Sequence, residues 1–165
     1  MSHWIKLAAL LAIITGCSNY DLTVNEKRVY TPRPLLSGLS VTDDALRTCV
    51  EQAVIDQQVT RPNELLKLDC NHAGISSLDG LQIFTGLREL SLSGNSIRNL
   101  VALTTLSSLR SLYLDNNDVV DPVPLYELLS LRVLDLSGNA QLQCPGSAAL
   151  FQLEEINLPA HCAKP

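Results

Sequence analysis

Three nine-residue stretches of this chain repeat one another at a fixed interval. LRELSLSGN begins at Leu87, LRSLYLDNN at Leu109 and LRVLDLSGN at Leu131, and both steps are 22 residues. One step back lies LLKLDCNHA from Leu65, and one step forward lies LEEINLPAH from Leu153. A period of this length means one small structural unit per repeat. Such a unit cannot bury its apolar side alone, so copies must stack on one another.

The columns of the repeat say how each unit is built. The first holds Leu65, Leu87, Leu109, Leu131 and Leu153, and the fourth Leu68, Leu90, Leu112, Leu134 and Ile156. The sixth holds Cys70, Leu92, Leu114, Leu136 and Leu158. Alternation such as Leu90-Ser91-Leu92 puts the leucines on one face of a short strand and the serine on the other. Asn95, Asn117 and Asn139 fall where that strand ends and the chain turns inward. An amide there can donate and accept, pairing backbone groups that a turn leaves open. Further apolar columns follow, with Ile75, Ile97 and Val119, then Leu81, Leu103 and Leu125, then Phe84, Leu106, Leu128 and Leu150. Short helical or 3₁₀ turns are expected over them. The chain's 32 leucines against two Phe, four Tyr and one Trp fit a core made of such columns.

The pattern L-x-x-L-x-L-x-x-N over residues 65–161 resembles the leucine-rich repeat family. The resemblance implies an α/β solenoid, a right-handed superhelix of about five coils with its strands on a concave face. It also gives Asn95, Asn117 and Asn139 a structural role, as a ladder between coils. The chain departs from the pattern in places. Ala73 and His161 replace the asparagine in the first and last coils, and Cys70 and Cys144 occupy leucine columns. Pro122 and Pro124 interrupt the convex side of the third full coil. Departures at the ends are expected where terminal repeats close a stack.

Ahead of the repeats, VTDDALRTCVEQAVIDQQV spaces Leu46, Cys49, Val50, Ala53 and Val54 along one helical face. Thr42 is the expected N-cap, with Asp43 and Asp44 in the first turn, where the helix dipole favours acids. Residues 41–64 are thus expected to form a helical cap over the open first coil. Bacterial proteins of the internalin type, and small leucine-rich lipoproteins similar to this chain, carry a comparable cap. Neighbouring coils lie about 4.8 Å apart, which puts Cys70 and Cys144 roughly 14 Å or more apart along the stack. A disulfide spans Cα separations only up to ~7 Å. The pairing expected is therefore Cys49 with Cys70 and Cys144 with Cys162, leaving residues 162–165 as a tail.

The chain has five cysteines, and the fifth is Cys17. It follows Lys6 and an uncharged apolar run from Leu7 to Ile14, too short to span a bilayer as a helix, which takes ~20 residues. Ile14-Thr15-Gly16-Cys17 resembles the lipobox of bacterial lipoproteins. The resemblance implies removal of residues 1–16 as a signal peptide and acylation of Cys17, palmitate among the acyl chains. Ser18 rather than Asp follows the cysteine, which implies lodging in the outer membrane. Cleavage at another small residue is the plainer alternative. Residues 17–40 show no steady period and contain Pro32 and Pro34. They are expected to be an extended tether, unless Leu35 and Leu36 pack on the cap.

The net charge of −5, without basic clusters, argues against nucleic acid and against charge-driven binding to anionic lipid. No nucleophile elbow, zinc-protease helix, P-loop or dinucleotide fingerprint occurs. His72 and His161 fall at opposite ends of the stack and cannot share a site. Asp115 to Asp121, DNNDVVD, lacks the glycine and terminal glutamate of a calcium loop. An enzyme is not expected, and neither a metal nor a cofactor.

What remains is the outward strand face. Its third column holds Lys67, Glu89, Ser111, Val133 and Glu155, and its fifth Asp69, Ser91, Tyr113, Asp135 and Asn157. The seventh holds Asn71, Ser93, Asp115, Ser137 and Pro159, and the second positions carry Arg88, Arg110 and Arg132. Tyr113 at the centre of a polar patch fits a binding hot spot, although tyrosine also suits any exposed strand. The arginines could meet an acidic partner or pair with acids on neighbouring coils. The residues expected to meet a partner are Glu89, Ser91, Arg110, Tyr113, Asp115, Val133 and Asp135. The expected function is a monomeric, membrane-anchored module that binds a protein segment or short glycan. An envelope scaffold facing the periplasm is the first alternative, and a hydrolase the second.

Overall fold

The computed structural model describes residues 22–24, 27–30, 35–146 and 150–162. The expected signal peptide, Cys17, part of the expected tether (residues 18–21, 25–26 and 31–34) and residues 163–165 lie outside them. The chain divides into two units, Met1–Pro34 and Leu35–Pro165.

In the first unit, β1 (Leu22–Val24) pairs antiparallel with β2 (Lys27–Tyr30). A short strand pair thus falls within the segment expected to be an extended tether. Thr23, Val24, Val29 and Tyr30 favour strands. The register shifts between Leu22 and Thr23, and such an irregularity breaks the alternation by which a strand is recognised.

The second unit begins to pack at Leu35, not at residue 41. Leu35, Leu36 and Leu39 are half-buried against the core, and the Leu36 N–H donates to the Val59 carbonyl at 2.9 Å. Helix α1 (Asp44–Asp56) follows and buries Leu46, Val50 and Val54. Its N-cap is Asp43 and not Thr42: Asp43 Oδ1 accepts from the N–H groups of Ala45 and Leu46, both at 3.0 Å. Asp43 wins that role because its second oxygen has partners as well. Oδ2 accepts from Ser76 N at 2.9 Å, Ser76 Oγ at 3.0 Å and Ser77 N at 3.2 Å.

Five three-residue strands then form one parallel sheet in chain order. They are β3 (Lys67–Asp69), β4 (Glu89–Ser91), β5 (Ser111–Tyr113), β6 (Val133–Asp135) and β7 (Glu155–Asn157). The register keeps the repeat columns intact, with Leu68 against Leu90, Leu112, Leu134 and Ile156 in succession. The four leucines of that column are fully buried, whereas Ile156 is 41% exposed. Between strands, 3₁₀ turns at Leu81–Ile83, Val101–Leu103 and Val123–Glu127 bury Leu81, Leu103 and Leu125. Pro122 and Pro124 do not interrupt the third of these. They start it, as its N-cap and in its first turn, where a proline's fixed φ suits the turn and its missing N–H has no partner to lose.

The asparagines join one coil to the next. Asn117 Oδ1 accepts from Ile97 N at 3.0 Å, and Nδ2 donates to the carbonyls of Leu92 at 2.9 Å and Leu114 at 3.1 Å. Asn95 and Asn139 repeat the arrangement one coil either side, Asn95 also accepting from the N–H of Ala73. Immediately before each ladder position the backbone is left-handed, at His72, Gly94, Asn116 and Gly138. Glycine and asparagine tolerate that conformation. At Gly138 an added Cβ would also collide with Asn116 Oδ1.

Disulfides join Cys49 to Cys70 and Cys144 to Cys162, with Cα separations of 5.9 and 5.3 Å. The first ties α1 to the end of β3. No helix among the described residues is long and apolar enough to cross a membrane.

Candidate functional site

A strand of period two shows every second side chain to the outside, so the sheet register decides which outward residues become neighbours. It sets Lys67, Glu89, Ser111, Val133 and Glu155 in one row, and Asp69, Ser91, Tyr113, Asp135 and Asn157 in the next. Of the expected partner-binding residues, this brings Glu89, Ser91, Tyr113, Val133 and Asp135 onto three adjacent strands. Arg110 stands exposed just before β5, and Asp115 follows β5 by two residues.

These side chains differ in what they have left to offer. Tyr113 and Val133 are half-buried, with part of each open to solvent. Ser91 is only 8% exposed, so it is a floor beneath its neighbours and not a contact residue. Glu89 Oε1 lies 2.6 Å from Lys67 Nζ. The hydrogen bond and charge of Glu89 push the Lys67 ammonium above its usual range. Asp115 Oδ1 accepts from the Ser93 hydroxyl, and Oδ2 accepts from Asn116 Nδ2 at 2.8 Å. Asp135 Oδ1 accepts from Ser137 Oγ at 2.6 Å, and Oδ2 from Asn157 Nδ2 at 3.2 Å. Each aspartate is thus held by one donor of its own coil, Asn116 or Ser137, and one of an adjacent coil, Ser93 or Asn157. A face of this kind presents preset acceptors around one aromatic ring.

The arginine row does not behave as one set. Arg132 Nε lies 3.6 Å from Glu154 Oε1 on the next coil. Among the described residues neither Arg88 nor Arg110 forms an ion pair. The DNNDVVD segment is turn structure. Asn117 belongs to the ladder, and Asp121 Oδ1 accepts from Val123 N at 2.9 Å, at the start of the 3₁₀ turn.

One surface has no counterpart in the sequence reading. A groove of about 780 Å³ runs beside α1 and meets the first strand, its lining including Ala45, Cys49, Gln52, Ala53, Lys67 and Asp69. Its signal was the small side chains Ala45, Cys49 and Ala53, spaced by four on the helix face next to the buried one. Lys67 and Asp69 belong to both the groove and the sheet face, which makes the two surfaces continuous.

Candidate chemistry elsewhere is thin. Ligand atoms of Cys144, Cys162 and His161 lie within 4.8 Å of one another. Both sulfurs are spent on a disulfide, and His161 Nε2 is 2.9 Å from the Leu142 carbonyl. A metal would need thiolates there.

No protein-family model matches the chain, and no curated protein matches it. Solved structures do. A crystal structure of an internalin (inlF) from Listeria monocytogenes is 28% identical, with a TM-score of 0.61 over 72% of this chain and 36% of the internalin. An internalin C2 from the same species is 20% identical, with a TM-score of 0.57 over 70% of this chain and 64% of its own. The chain thus spans about a third of the first protein and just under two-thirds of the second. Its larger unit has an internalin-like leucine-rich repeat fold.

Proposed function

We propose that the chain is a non-enzymatic interaction module, anchored to the outer membrane by acylated Cys17, that binds a protein segment or short glycan on the concave sheet face. The observation that carries the reading is the outward face itself. Tyr113 stands amid Asp115 and Asp135, each bonded by a donor of a neighbouring coil, on an internalin-like repeat unit. Preset acceptors cost a partner little ordering on binding, and a half-buried aromatic at the centre is the usual anchor. In this reading residues 41–64 cap the first of about five coils, and residues 17–34 space the domain from the membrane. A fold hosts many functions, so the face and not the fold has to be tested.

A photo-activated cross-linker placed in turn at Glu89, Val133 and the far-side residues Val101 and Val123 provides that test in intact cells. Adducts are expected from the first two positions only. Tyr113→Ala and Arg110→Glu should each reduce those adducts about tenfold or more, with unfolding unchanged. Equal yields from both sides, or yields indifferent to Tyr113 and Arg110, would remove the sheet face from the proposal.

A further inference from the structure

The two edges of the five-stranded sheet are finished differently. At the β3 edge, α1 lies against the strand, the Cys49–Cys70 disulfide joins them, and Gln57 Nε2 donates to the Lys67 carbonyl at 2.8 Å. At the β7 edge the Cys144–Cys162 disulfide holds the 3₁₀ turn Ala160–Cys162 that follows the strand, but among the described residues no helix lies against β7 and no side chain bonds its outer backbone groups. The amides of Cys70, Leu92, Leu114 and Leu136 each donate to a carbonyl of the following coil, at Ser91, Tyr113, Asp135 and Asn157. Leu158 is next in that column, and β7 is the last strand of the sheet. By the alternation of a parallel ladder the N–H and C=O of Ile156 face the same open side. The Ile156 side chain is 41% exposed where its four predecessors are fully buried, and Phe151, four residues before β7, is 80% exposed. Edge strands are ordinarily blunted with lysine, proline or a bulge. Within Glu155-Ile156-Asn157 there is none of these.

We infer that β7 pairs antiparallel with β7 of a second copy, about a two-fold axis at Ile156. The side-chain order fits that occupant. In this register Ile156 meets Ile156, the two exchanging their open N–H and C=O groups. Glu155 of each copy faces Asn157 of the other, so a carboxylate meets an amide donor twice and no like charges oppose. Contact through one self-complementary patch closes at two copies, and α1 at the other edge prevents growth into a filament. The two-fold axis is perpendicular to the sheet, so both outward faces point the same way. The dimer presents one ten-stranded face carrying two copies of Tyr113, in place of the monomer expected from sequence.

The test is sedimentation equilibrium of the full chain in a mild non-ionic detergent, over a hundredfold range of concentration, with two charge variants. Asn157→Lys sets a lysine opposite each Glu155 and should tighten the dimer by roughly two- to tenfold. Glu155→Lys combined with Asn157→Lys opposes lysine to lysine and should weaken it about tenfold or more. Hydrogen exchange should show the Ile156 and Leu158 amides slowing as concentration rises. A monomer at every concentration would overturn the proposal. So would a dimer whose strength ignores the charge order, because its interface would then lie elsewhere.

Discussion

The two oxygens of Asp43 serve different parts of the chain: one caps α1 and the other holds the backbone and hydroxyl of Ser76 and the backbone of Ser77. Partial burial pushes this carboxyl up. It is outweighed by the bonds from Leu46, Ser76 and Ser77, so the pKa falls from 3.8 to about 2. A group depressed on folding contributes stability that is complete above its unfolded value and lost as pH falls through the folded one. With allowance for its partial exposure, Asp43→Asn should cost about 1–2 kcal/mol at pH 7. The difference from wild type should shrink between pH 4 and pH 2, where the native carboxyl becomes neutral too. Urea unfolding at a series of pH values measures this, and a gap independent of pH would contradict it. Asp43 was visible in the sequence as an acid at a helix start. Its second set of partners was not, because Ser76 and Ser77 lie more than thirty residues away.

At the scale of elements, each coil contacts its neighbours and little else, so stability in a stack is local. The Cys49–Cys70 bridge joins α1 to the first strand alone. Replacing both cysteines with alanine should therefore cost about 2–4 kcal/mol. Amide exchange should rise first in α1 and β3, while β5 keeps its protection. Uniform loss across all strands would mean that the unit opens as one body. The strands were legible from their leucine columns, and α1 from the spacing of Leu46, Val50 and Val54. The left-handed turns at Gly94, Asn116 and Gly138 were open to the same reading, since glycine and asparagine share that column. The β1–β2 pair was not, because its register shift hides the alternation. The prolines also misled, since at the start of a 3₁₀ turn they support what they would break further in.

For the whole molecule, the proposed membrane attachment rests on a single side chain, Cys17, outside the described residues. If Cys17 is acylated, Cys17→Ser should abolish incorporation of labelled palmitate and move the chain from the membrane to the soluble fraction. Unchanged fractionation would remove the anchor and the location that depends on it. Several acyl chains hold firmly where one binds only marginally, so an intermediate distribution is not expected. The sequence by itself determined the stacked repeat, the identity of the buried columns and the ladder asparagines, because a 22-residue period forces equivalent residues into equivalent places. It also limited the disulfides to one pairing once the coil spacing was known. Tertiary structure alone decided that Ser91 is covered, that Arg132 pairs with Glu154 while Arg110 stays exposed, and that a groove opens beside α1. It decided too that α1 closes the β3 edge while, among the described residues, no helix covers β7. These depend on what lies across a coil boundary or at the end of the stack, and no periodicity along the chain carries that information.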